Sequence, residues 1–259
     1  MKLDNKRVIV TGGAAGVGKE LVKQLLKKGA YVSALDINEK NLKNLKTELN
    51  DDKLFIYKVD VSNDNNIENF KKDYFKDQPC IDVLINNAGI IQPFIDISEL
   101  DINIIEKVMN VNFYGPLKLI KAFINELKER NEAYILNVSS MGGFFPFPGQ
   151  SVYGASKAAL SLLTEGLYSE LLNTNVKVSL VLPGAMATDI VKNSDIEIKE
   201  SNSKEIKMLS ASEAADKIIK VIEKNKFKLY LGNDSKFMNF MYKLNAKAAI
   251  KLINKLMKK

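Results

Sequence analysis

The chain has 259 residues with 46% hydrophobic side chains, enough to bury one sizeable core, and its length is ordinary for a single α/β domain. It has no histidine and one cysteine, Cys80, which excludes Ser-His-acid triads, Cys-His pairs, cysteine-clustered metal sites and an internal disulfide. The net charge of +7 comes entirely from one end: residues 235–259 hold seven lysines and no acid, leaving 31 basic residues to balance the 31 acidic ones. Residues 1–234 are thus formally neutral, no nucleic-acid partner is expected, and any acid/base chemistry falls to Tyr, Lys or carboxylates. No metal is expected, and Cys80 is read as a small packed residue.

Residues 1–10 contain only a short apolar run, without the stretch of a secretory signal, and no window reaches the roughly 18 apolar residues of a spanning helix. A cytoplasmic protein is expected.

Along the chain, short β-rich apolar runs alternate with segments of helical periodicity. Strands are predicted at residues 7–11, 31–36, 53–59, 82–86, 133–139, 176–182 and 227–231, and helices at 17–29, 39–49, 65–76, 103–130, 152–172 and 212–224. Seven strands separated by helices imply an α/β fold of the Rossmann type: a doubly wound, mainly parallel sheet with helices on both faces. Residues 1–234 are read as a single domain, with the chemistry in the loops at the strands' carboxyl ends, and residues 235–259 as a C-terminal extension.

The first strand runs into Thr11-Gly12-Gly13-Ala14-Ala15-Gly16-Val17-Gly18 and then an amphipathic helix. Such a turn lets backbone approach a pyrophosphate at a helix N-terminus, although a glycine cluster alone fits a tight strand-to-helix turn equally well. Asp36 ends the second strand, 18 residues after Gly18, where a carboxylate accepts bonds from ribose hydroxyls and repels a 2′-phosphate. That favours NAD over NADP; a turn or helix-cap role for Asp36 is compatible with it. Gly13, Gly18 and Lys19 nearly spell a P-loop, but Glu20 stands where that motif needs Ser or Thr for magnesium.

Tyr153 and Lys157 are spaced i, i+4 in Tyr-Gly-Ala-Ser-Lys, on one helix face. Tyrosine alone, with a reference pKa of about 10, is a poor base near neutrality, and a lysine charge beside it favours the phenolate. Taken singly, the pair also fits a surface Tyr and a solvated Lys. Asn112 likewise fits a side-chain bond inside a helix.

Together these segments resemble the short-chain dehydrogenase/reductase family, in its branch of about 250 residues with the Thr-Gly-x-x-x-Gly-x-Gly spacing, and the likeness runs in order through Thr188. The resemblance implies cofactor contacts at Gly12, Gly16, Val17, Gly18, Asp36, the Asp60-Val61 pair after the third strand, and Asn87, Ala88 and Gly89 in Asn-Asn-Ala-Gly after the fourth. It adds Tyr153, Lys157, Pro183, Gly184 and Thr188 around the nicotinamide, and a catalytic set of Asn112, Ser140, Tyr153 and Lys157. Asn112 would hold a water linking Lys157 to solvent. Ser140 rather than the adjacent Ser139 fills the hydroxyl position because it lies 13 residues before Tyr153, the usual family spacing. The implied activity is hydride transfer between nicotinamide and a ketone or secondary alcohol, with Tyr153 as general acid/base, in a homodimer or homotetramer joined through the two long helices.

The segment from Met141 to Gln150 is rich in phenylalanine, and the loop after Pro183 adds Met186, Ile190 and Val191. An apolar substrate pocket and a subunit interface or lid fit Phe144, Phe145 and Phe147 about equally, while residues 192–207 are read as a flap. In residues 235–259, Lys243, Lys247, Lys251 and Lys255 recur every four residues beside Leu244, Ala248, Leu252 and Leu256. That pattern predicts a basic amphipathic helix, suited either to peripheral contact with anionic lipid or to a lysine face over an oligomer contact. The rival function is a catalytically silent nucleotide-sensing or membrane-associated scaffold of the same fold, against which Tyr153 and Lys157 both stand.

Overall fold

The structure, a computed structural model, describes residues 1–185 and 209–257. Its strands are β1 (Arg7–Thr11), β2 (Tyr31–Asp36), β3 (Leu54–Lys58), β4 (Val83–Asn86), β5 (Ala133–Val138), β6 (Val176–Pro183) and β7 (Lys228–Leu231), all parallel, in the order β3-β2-β1-β4-β5-β6-β7. Strand pleating sends alternate side chains to opposite faces. In β1, Val8 and Val10 enter one core and Ile9 the other; in β4, Val83 and Ile85 part from Leu84 in the same way.

The first core is covered by α1 (Gly16–Lys27), α2 (Glu39–Leu49) and α7 (Ala211–Glu223), whose Leu21, Leu42 and Ile218 are buried there. The second is covered by α3 (Asp64–Asp77), α5 (Gly115–Lys128) and α6 (Ser151–Glu170), through Phe70, Phe123 and Leu167 among others. The chain reverses its direction of winding between β1 and β4. This doubly wound sheet leaves a crevice beyond the carboxyl ends of those two strands.

Two expectations from the sequence need correction. The helix predicted over residues 103–130 is three pieces: α4 (Ile102–Met109), a wide π-helical turn (Asn110–Tyr114) and α5. Asn112 lies within that turn and points inward, bonding the backbone of Ile90 and the hydroxyl of Ser156, and one extra residue per turn lets it do so. The single basic C-terminal helix is a pair, α8 (Asn233–Leu244) and α9 (Ala246–Met257), broken where Asn245 is extended and its side-chain oxygen accepts from the Ala248 N–H. Among the described residues, no helix is long and apolar enough to cross a membrane.

Candidate active site

At the crevice, Thr11 joins β1 to the end of β4: its hydroxyl accepts from the N–H groups of Asn87 and Ala88, both at 2.9 Å, and the Asn87 amide donates to the Thr11 carbonyl at 3.0 Å. Gly12 then turns the chain with φ +64°. A Cβ on Gly18 would collide with the Gly12 carbonyl oxygen, so the glycine spacing lets the helix start fold back against the turn. The N-terminus of α1, with Ala15 as N-cap, receives no side-chain cap. Its first N–H groups, beside Gly16, Val17 and Gly18, therefore suit an anion.

Asp36, at the end of β2, accepts from the Ala14 N–H at 3.1 Å and the Asn38 N–H at 3.0 Å, one bond to each carboxylate oxygen. Each oxygen keeps capacity for another donor. Asp60 is tied locally to Ser62, accepting from its N–H and hydroxyl at 2.9 and 2.6 Å, while Val61 is buried close to Gly115.

Beyond β5, Ser139 and Ser140 point to different partners. The Ser139 hydroxyl donates to the Lys157 carbonyl at 2.8 Å and pairs with that of Ser161 at 2.9 Å, so it is committed to α6. The Ser140 hydroxyl accepts from the Gly142 N–H at 3.1 Å and hydrogen-bonds the Tyr153 hydroxyl. Burial pushes the Tyr153 phenol above its ordinary pKa, and the bond to Ser140 opposes that rise. Lys157 is only 4% exposed; its ammonium donates to the Val138 carbonyl at 3.1 Å, and burial brings its pKa down from 10.5 to about 8. The site thus differs from the expectation that Lys157 lowers the phenol's pKa, because desolvation dominates both groups.

Gly89 closes the cluster. A Cβ there would lie 3.1 Å from the Lys157 ammonium and 3.2 Å from the Asn112 side-chain oxygen, so the Asn-Asn-Ala-Gly backbone passes directly beside both. Asn112 is fully buried, its amide donating to the Ile90 carbonyl at 2.9 Å and to the Ser156 hydroxyl at 3.0 Å. Asn112, Ser140, Tyr153, Lys157 and Gly89 are therefore brought into one cluster. Pro183 ends β6, and Gly184 donates to the Leu231 carbonyl at 2.8 Å. Thr188, Met186, Ile190, Val191 and the segment 192–207 lie outside the described residues.

The sequence motifs missed Gln92. Its side-chain oxygen accepts from the N–H groups of Val152 and Tyr153, both at 2.9 Å, and so caps the catalytic helix from another loop; the Gln150 amide in turn donates to the Gln92 carbonyl at 2.8 Å. Nothing in local spacing marks a cap supplied some 60 residues away. Ser156 was readable, since it stands inside Tyr-Gly-Ala-Ser-Lys. The structure gives Phe144, Phe145 and Phe147 contacts that the sequence did not suggest: Phe145 is buried against Ala249 and Ile253, with Phe147 and Tyr242 around it, and Phe144 packs on Tyr230. They carry α8 and α9.

A doubly wound sheet with a glycine turn at its switch point defines a nucleotide-binding architecture. The short chain dehydrogenase family model matches residues 6–199, and the chain belongs to that family of NAD(P)-dependent dehydrogenases and reductases. A 3beta-hydroxysteroid dehydrogenase 2 from Eggerthella lenta is 35% identical over 73% of this chain and 74% of its own. An uncharacterized oxidoreductase from Staphylococcus epidermidis is 30% identical over 84% and 91%. Among solved structures, a short-chain dehydrogenase from Streptomyces avermitilis superposes with TM-score 0.83 at 26% identity, covering 98% of each chain. One from Burkholderia cenocepacia, in complex with NADP, superposes with TM-score 0.82 at 25% identity, covering 98% of this chain and 99% of its own.

The buried lysine makes a prediction about stability. Below about pH 8 the folded chain carries the desolvated ammonium at full cost; between there and 10.5 the unfolded chain binds more protons, so stability from this group rises with pH and the cost is gone above 10.5. Lys157→Met is therefore expected to stabilise the protein at pH 7, by at most about 3 kcal/mol, and to lose that advantage near pH 10.5. Urea unfolding of both proteins at the two pH values measures it; an advantage that grew with pH would contradict the assignment.

Proposed function

We propose that the chain uses NAD to interconvert a hydrophobic secondary alcohol and its ketone, with Tyr153 as general acid/base. The observation that carries this reading is the hydrogen-bonded pair of Ser140, just beyond β5, and Tyr153, which stands one helix turn before buried Lys157, beside the Asn87-Ala88-Gly89 backbone. Bound NAD supplies the hydride acceptor or donor. Gly12, Gly16, Val17 and Gly18 would take its pyrophosphate at the uncapped start of α1, and Asp36 the adenosine ribose; Asp60, Val61, Asn87, Ala88 and Gly89 would line its course toward Pro183, Gly184 and Thr188.

In this reading Ser140 holds the substrate oxygen and Tyr153 moves its proton. A phenol held above its ordinary pKa is protonated as it stands, ready to donate in the reducing direction. Oxidation needs the phenolate, which gains from a protonated Lys157 and from the positive charge of the oxidised nicotinamide. Asn112, bonded to the Ile90 backbone and to the Ser156 hydroxyl, which in turn donates to the Tyr153 carbonyl, would position the loop and helix around Tyr153 and Lys157. The apolar character of the substrate draws on the Eggerthella lenta relative, named for a hydroxysteroid, a secondary alcohol on an apolar skeleton.

A homo-oligomer is proposed through α4–α5 and α6. Among the described residues, a small or apolar strip on the outer face of α6 is uncovered: Ala155, Leu162 at 73% exposure, and Gly166, where an added Cβ would meet nothing beyond its own helix within 4 Å. Burying such a strip against a second copy removes apolar surface from water.

Tyr153→Phe is expected to keep NAD binding, read by titration calorimetry, while turnover drops by about 10²–10⁴-fold; undiminished turnover would refute the mechanism. For cofactor choice, Asp36→Ser should shift the NAD-to-NADP ratio of kcat/KM toward NADP by about tenfold or more, equivalent to ~1.4 kcal/mol. A ratio that stayed put would remove Asp36 from discrimination. Leu162→Glu should dissociate the oligomer, and sedimentation velocity showing an unchanged assembly would move the interface elsewhere.

A further inference from the structure

Among the described residues, nothing covers an apolar surface that the C-terminal helix pair presents. Helix α8 exposes Phe237, Phe240 at 59% and Leu244 at 67%, spaced as one helical strip, while Met238, Met241 and Tyr242 turn inward to pack with Phe145. Helix α9 buries Ala249 and Ile253, directs Lys247, Lys251 and Lys255 to the opposite side, and exposes Leu252 and Leu256. Each of these lysines is followed one position later by Ala248, Leu252 or Leu256, so at 100° per residue the apolar row adjoins the lysine row, between it and the buried face. The Leu244, Ala248, Leu252 and Leu256 row singled out in the sequence is exposed, and the neighbouring Ala249 and Ile253 are the residues buried.

Charge decides what covers this surface. From 235 to 259 the chain has seven lysines and no acid, so a two-fold contact between two copies would set like charge against like charge. An anionic lipid surface answers both features: acyl chains take the Phe and Leu strips, and headgroups take the lysines. We infer that α8 and α9 dock the protein on the face of an anionic bilayer, as interfacial helices lying in the headgroup region.

The docking surface is joined to the active site. Both helices pack, through Met238, Met241, Ala249 and Ile253, onto the Met141–Phe147 segment that follows Ser140. A docked helix pair holds that segment within about one helix diameter, roughly 10 Å, of the lipid. With the hydrophobic substrate proposed above, on which this last step rests, the substrate is drawn from the bilayer and its product returned there.

The full chain is mixed, without cofactor or substrate, with vesicles of phosphatidylcholine alone or with about 30% phosphatidylglycerol, and sedimented. Binding is expected only to the anionic vesicles and should fall about tenfold or more in high salt. Phe237→Ser with Phe240→Ser, and separately Lys247→Gln with Lys251→Gln, should each lower it about tenfold, with urea midpoints unchanged. Tyr153→Phe should bind like the wild type, so a failed mechanism and a failed docking surface give different results. No binding to anionic vesicles, equal binding to both compositions, or self-association in solution that Phe240→Ser abolishes would overturn the inference, the last by making a second copy the occupant.

Discussion

Lys157 is only 4% exposed, and its ammonium donates to the Val138 carbonyl. A cation taken from water at such a point is costly unless its surroundings are fixed. Here they are fixed from three sides: β5 supplies Val138, the Asn-Asn-Ala-Gly backbone passes beside the ammonium at Gly89, and Ser139 and Ser161 hold the Lys157 carbonyl. The lysine is thus secured at both ends, side chain and backbone. Tyr153, one turn earlier, inherits that position, and Gln92 fixes the N–H groups at the helix start. A site whose central charge is buried cannot drift with a surface loop.

The same strands that place Lys157 place the nucleotide end. β1 and β4 are neighbours by register, Val8 to Val83 and Val10 to Ile85, yet the chain leaves them in opposite directions. Thr11 spans the gap with three hydrogen bonds and so sets the distance between the glycine turn and the Asn-Asn-Ala-Gly loop. One loop faces the proposed pyrophosphate position and the other touches Lys157 and Asn112. The separation of the glycine turn from the Lys157 and Asn112 cluster is therefore held by hydrogen bonds between neighbouring strand ends near the sheet centre.

Much of this was legible in the sequence because its signals are local. A period of two or of 3.6 shows which residues face a core, and every strand of the structure lies within one residue of its predicted bounds at each end. The glycine turn, Asp36 and the Tyr153–Lys157 spacing are likewise short-range patterns. What escaped depends on distant partners. The π-turn at Asn112 exists because Ile90 and Ser156 draw one side chain inward, and the helix cap at Tyr153 arrives from Gln92. The phenylalanines after Ser140 read as ligand-facing or interface-facing because the sequence could not show Ala249 and Ile253 arriving from more than a hundred residues away. The burial that raises the Tyr153 phenol and lowers Lys157 was hidden for a related reason: charge spacing is written in the chain, but desolvation is a property of the whole fold.

The C-terminal helices bear on the site from two directions. Ser235 donates to the Leu182 carbonyl at 2.8 Å and Asp234 accepts from the Ala185 N–H at 2.6 Å, so the start of α8 clasps the end of β6 where Pro183 and Gly184 lie. Further along, Met241, Ala249 and Ile253 seat on Phe145 just beyond Ser140. One short helical pair therefore steadies both the segment assigned to the nicotinamide and the segment carrying the hydroxyl that meets Tyr153. A force on the outer face of that pair reaches both walls through packed side chains and two hydrogen bonds, the one from Ser235 buried, rather than through a free loop. The lysine and leucine rows, which look in the sequence like an appendage to a complete enzyme, are in the folded chain one layer removed from its proposed chemistry.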